Sequence, residues 1–83
     1  MPNIDEIKQE LRGHFKTTVG FEPSESDNLF DKGALDSFGV VEFLTFLETR
    51  FGAVIAIEDV TEAQFSTIQS VADLVLRNMR TDG

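Results

Sequence analysis

Few side chains in this 83-residue sequence could do chemistry. His14 is the only histidine, cysteine is absent, and no glycine-rich phosphate loop or metal-ligand spacing occurs. Asp27, Asp31 and Asp36 lack the alternating spacing and final Glu of a calcium loop, so no metal is expected. His14 lies beside an apolar stripe with no acidic or hydroxyl partner fixed by spacing, which predicts a surface or helix-flanking role. A serine hydrolase would need a base and an oxyanion site, and this inventory supplies neither with any specificity. A non-catalytic protein is therefore the expectation.

The segment that stands apart is Gly33-Ala34-Leu35-Asp36-Ser37-Phe38, where a polar pair ends a long loop and opens the most apolar stretch of the chain. Two readings fit the pair. Ser and Asp are both favoured as helix N-caps, because their oxygens accept N–H bonds from the first turn. A hydroxyl at a helix N-terminus is also exposed, and a phosphate attached to it would lie near free N–H groups and the positive end of the helix dipole.

The elements that must position this pair can be read from apolar spacing. Ile4, Ile7, Leu11 and Phe15 recur at steps of three, four and four, and Asn3 with Glu6 has the form of a capping box. Gly20 and Pro23 discourage continuation, so a first helix is predicted over residues 4–18. Residues 20–36 form a long polar loop, which Phe21, Leu29, Phe30, Ala34 and Leu35 should pin to the core. A second helix is predicted over 37–51. Its apolar set (Val40, Val41, Phe43, Leu44, Phe46, Leu47 and Phe51) is wider than one buried stripe requires, so part of it should face solvent as a docking surface. Residues 53–57 read as an extended, buried loop. Thr61 with Gln64 predicts a short helix over 61–65, and Ser70 with Asp73 predicts a last helix over 70–80. The fold class expected is all-α, in one domain spanning 1–83.

Composition narrows the partners. Seven basic residues against fifteen acidic ones give a net charge of −8, a sign that repels phosphate backbones and anionic membranes. The excess is uneven, at 0 over residues 1–16, −6 over 17–49 and −2 over 50–83. Its concentration in the central third suggests docking to basic protein surfaces. No signal-peptide pattern and no apolar run near 18 residues occurs, so the cytoplasm is the expected location, with no membrane span and no nucleic-acid partner.

The order of motifs adds a resemblance. Leu29-Phe30-Asp31, then Leu35-Asp36-Ser37-Phe38, Glu42-Phe43-Leu44, Leu47-Glu48, Phe51-Gly52, Phe65-Ser66-Thr67-Ile68 and Val71-Ala72-Asp73-Leu74-Val75 together resemble the acyl carrier protein family, across nearly the whole chain from Ile4 to Met79. The resemblance implies a four-helix bundle with a long first loop and a short third helix. It also implies that Ser37 is esterified from coenzyme A to leave a 4'-phosphopantetheine arm. A carrier that holds acyl groups as thioesters needs a thiol, and a chain without cysteine must receive it on a prosthetic group. By the same resemblance, Asp36 helps the modifying phosphopantetheinyl transferase and its magnesium ion engage the site, and Phe38, Val41, Glu42 and Glu48 meet partner enzymes. Those partners are the transferase, an acyl- or aminoacyl-loading ligase, and downstream synthases or transferases with basic patches; the carrier itself is expected to be a monomer.

Gly39 after Phe38, and Glu48-Thr49-Arg50 in place of an acidic cluster, depart from type II fatty acid carriers. Hydrophobic-Gly after the serine resembles D-alanyl carriers and stand-alone carriers of specialised pathways. Eight Phe and a large apolar inventory favour an acyl cargo in a specialised lipid or secondary-metabolite pathway, with an aminoacyl carrier as the alternative. An unmodified helical adaptor, using its acidic second helix only to hold a partner, is the alternative of another class.

Overall fold

The computed structural model describes residues 3–36, 38–61 and 63–79, with the backbone alone at residue 59. Among these the chain forms helix α1 (Ile4–Val19), helix α2 (Gly39–Phe51), a 3-10 turn (Ile57–Asp59) and helix α3 (Ile68–Asn78). It is all-helical apart from one isolated antiparallel bridge between Ala53 and Met79.

α1 forms where its stripe predicts. Asn3 Oδ1 accepts the Glu6 amide at 2.9 Å, and Ile7, Leu11 and Phe15 are buried. Gly20 ends the helix in the left-handed region at φ 88°, its N–H donating to the Lys16 carbonyl, one residue later than expected. The charged flank of α1 then holds the loop that follows. Lys8 pairs with Glu25 at 2.5 Å and Arg12 with Glu22 at 3.8 Å, while Glu10 reaches across to Arg50 at the end of α2. The loop is further fixed from within. Pro23, Leu29, Ala34 and Leu35 are buried, and Asn28 Oδ1 accepts the Phe30 and Asp31 amides. The Leu29 amide donates to Ser66, next to the start of α3. The apolar anchors read from the sequence therefore lie in or against the core, with Phe21 and Phe30 partly buried.

α2 is assigned over Gly39–Phe51, inside the predicted 37–51, and the Asp36 side chain accepts the Phe38 and Gly39 amides just before it. Val40, Phe43, Leu47 and Phe51 face the core, and Gly52, at φ 69°, closes the helix with bonds to the Glu48 and Leu47 carbonyls.

Two predictions at the C-terminal end are corrected. The short helix over 61–65 is a turn among the described residues: the Phe65 amide donates to the Thr61 carbonyl at 3.0 Å and the Gln64 amide to Thr61 Oγ1, with residue 62 outside the description. Five residues gain too few hydrogen bonds to repay helix nucleation, and burial of Phe65 holds the turn instead. Three α-helices are thus assigned among the described residues, where the expected bundle has four. The last helix starts at Ile68 rather than 70. Its reciprocal capping box joins Thr67 to Ser70, while Asp73 receives the Gln69 side chain. Starting early places fully buried Ile68 in line with Val71, Ala72, Leu74 and Val75, and this face packs on α1. Residue 80 of the predicted helix lies outside the described residues. The extended run after α2 buries only Ala53 fully, leaving Val54 and Ile57 exposed, and the 3-10 turn has no counterpart in the predicted elements.

Candidate functional site

Ser37 lies outside the described residues, but both its neighbours are placed. Asp36 Oδ1 accepts the amides of Phe38 at 3.1 Å and Gly39 at 2.6 Å, and the Asp36 carbonyl accepts the Val40 amide. These bonds make Asp36 the cap of the turn that leads through Phe38 into α2. The capping half of the Asp-Ser reading is therefore met by the aspartate. The Phe38 and Gly39 amides are thus engaged by Asp36. Gly39 permits this arrangement: a Cβ at that position would lie 3.1 Å from Asp36 Oδ1.

A cleft opens beside the cap. It holds about 170 Å³ between the C-terminal half of α1, the turn at Gly33–Asp36 and the first turn of α2. Phe15, Ala34, Leu35 and Phe43 supply apolar surface, and His14, Thr18, Asp36 and Glu42 supply polar groups.

His14 is not a bystander on the helix flank. Its ring stacks on Phe46 with centroids 4.0 Å apart and lies within 5.6 Å of the rings of Phe15 and Phe43, joining α1 to α2. Burial pushes its pKa below the ordinary histidine value, and the Glu42 carboxylate partly opposes that shift. Sequence reading missed His14, Thr18 and Gly39 as lining residues. The one signal was the i, i+4 spacing of His14 and Thr18 alongside the buried Leu11–Phe15 stripe.

The residues expected to meet partners lie on the outer side of α2 and its approach. Phe38 is 88% exposed and Val41 55%, and Glu42 and Glu48 are also exposed. Phe38, Val41 and Glu42 are neighbours at helical spacing, with Glu48 nearly two turns farther along. Among the described residues no three His, Asp or Glu side chains come together as a metal site, and no helix is long and apolar enough to cross a membrane.

Comparison with known proteins places these features in a family. The family described as "phosphopantetheine attachment site" matches residues 9–75. A D-alanyl carrier protein of Bacillus velezensis is 36% identical over 45 residues, covering 54% of this chain and 58% of that protein. The match thus spans less than two thirds of that relative's length. The residues present suit the group this family carries: the chain has no thiol of its own, and a cleft bordered by Asp36 and Gly39 opens within two residues of a hydroxyl residue in the chain. Because the matched stretch takes in most of the chain, the protein belongs to the family that bears the phosphopantetheine attachment site, and 4'-phosphopantetheine is its prosthetic group.

Proposed function

We propose that the protein is a non-catalytic acyl carrier whose Ser37 bears the arm and which acts in the cytoplasm. The observation that carries the reading is the Asp36-Ser37-Phe38 segment before α2, in which Asp36 accepts the Phe38 and Gly39 amides. In the attachment step the Ser37 Oγ–H bond breaks and an Oγ–P bond forms at the pantetheine-side phosphorus of coenzyme A. The adenosine bisphosphate half leaves, and the serine proton passes to a base of the transferase. Ser37 needs no activating base in this chain. Asp36 contributes by fixing the turn and by offering carboxylate charge to the transferase and its magnesium ion. Once attached, the arm supplies a terminal thiol that holds cargo as a thioester.

Phe38 and Val41 then present apolar contacts to partner enzymes, and Glu42 and Glu48 read their basic patches. A specialised lipid or secondary-metabolite pathway is the leading setting. A second reading, an aminoacyl carrier, is supported by the D-alanyl carrier among its relatives and by Gly39 after Phe38.

The test is incubation of unmodified protein with coenzyme A, magnesium and a broad-specificity phosphopantetheinyl transferase. The intact mass is expected to rise by one arm, and Ser37→Ala is expected to prevent it. An unchanged mass under conditions that modify a control carrier would refute the proposal.

A further inference from the structure

The cleft beside the α2 cap has a size and a lining that select part of the arm. Its 170 Å³ is close to the ~150 Å³ of a protein cavity that holds one benzene, room for roughly six non-hydrogen atoms. Asp36 and Gly39 border it and bracket residue 37 in the chain, so only what lies within a few bonds of that residue reaches the cleft without doubling back.

Charge divides the arm further. Asp36 and Glu42 stand at the cleft and disfavour a phosphodiester inside it, whereas Phe15, Ala34, Leu35 and Phe43 offer apolar contact. The neutral segment next to the phosphate has the complementary character. Its quaternary carbon carries two methyl groups, and the adjoining carbon carries a hydroxyl. Six non-hydrogen atoms make up that segment with its methylene, roughly the capacity of the cleft. His14 and Thr18 both line the cleft: the Thr18 hydroxyl donates to the His14 carbonyl at 2.9 Å and keeps its oxygen as an acceptor, and burial holds the imidazole toward its neutral, accepting form.

We infer that the cleft between α1 and the first turn of α2 seats this dimethyl, hydroxyl-bearing segment of the chain's own arm while its phosphate stays in solvent. The inference rests on the attachment at Ser37 proposed above. It assigns His14 and Thr18 a positioning role toward the arm, in a cleft whose lining does not include the exposed Phe38 and Val41.

The test compares unmodified and arm-bearing protein by NMR, with intact mass confirming complete modification. The His14 ring protons and the Thr18 methyl group are expected to shift on modification, with nuclear Overhauser contacts from the Phe43 and His14 rings to the geminal methyl groups of the arm. Full modification by mass with the His14 and Thr18 signals unmoved, or with the arm's methyl groups contacting only Phe38 and Val41, would overturn the inference while leaving the attachment standing. Absence of any mass increase would instead remove the attachment on which it rests.

Discussion

α1 and the outer face of α2 use the same residue types to opposite ends. On α1 the charged flank is directed inward to the rest of the chain: Lys8 and Arg12 hold the loop through Glu25 and Glu22, and Glu10 holds the end of α2 through Arg50. On α2, Glu42 and Glu48 take part in no ion pair among the described residues, and Phe38 and Val41 beside them face solvent. The phenylalanines divide in the same way. Phe15, Phe43 and Phe65 are almost wholly buried, and Phe38 is almost wholly exposed. One side of the molecule satisfies its groups internally, and the other leaves them for something else to satisfy. Exposed ion pairs contribute little to stability, so those of α1 chiefly position the loop that delivers Asp36, and burial holds the fold.

The sharpest way to break this contrast is to truncate one ring on each side. Phe43→Ala should cost about 3–5 kcal/mol, comparable to the whole net stability of roughly 3–5 kcal/mol expected of a core this small. The cooperative thermal transition followed by circular dichroism should disappear. Phe38→Ala should change stability by no more than about 0.5 kcal/mol while slowing loading by a partner enzyme. Equal destabilisation by the two would erase the distinction.

Asp36→Ala should come next, at about 1 kcal/mol for a lost N-cap, read from the urea midpoint. Asp36→Asn should recover most of it, since an amide oxygen can still accept the Phe38 and Gly39 amides. A smaller effect is expected from pH. His14 has its pKa lowered in the folded state, so the unfolded chain binds more protons as pH falls through the ordinary histidine range. Its contribution is present above about pH 6.5 and is lost as pH falls toward the depressed folded value. The urea midpoint of the wild type, measured relative to His14→Asn, should therefore rise from about pH 5 to pH 7. A constant difference would contradict the burial of the ring.

The smallest expected effect is that of salt. Moderate ionic strength should raise the melting temperature, by screening the acidic excess of residues 17–49 more than it weakens the pairs of α1. A fall would mean that those pairs outweigh the repulsion.

How much of this could be read beforehand follows from which interactions are local. α1 was legible because its stripe is isolated between polar residues and both of its ends carry local caps. The apolar surplus of α2 was legible too, since Phe38 and Val41 exceed what one buried face can take. The start of α3 was not, because Thr67 and Ser70 can each cap a helix and only their reciprocal geometry decides between them. The turn at Thr61–Phe65 resembled a helix because the Thr-Gln capping signal is the same for one turn as for several. The cleft was least legible. It exists only once α1, the loop and α2 are brought together, and spacing along α1 says nothing of what will face His14.

The central claim is that Ser37 carries the arm, and the most direct measurement is intact and fragment mass spectrometry of protein purified from its own source under conditions that preserve phosphodiesters. A mass exceeding that of the polypeptide by phosphopantetheine, with or without cargo, and fragments assigning the increment to Ser37 are the expected result. A mass equal to the bare chain in every preparation, or an increment located on another residue, would contradict it.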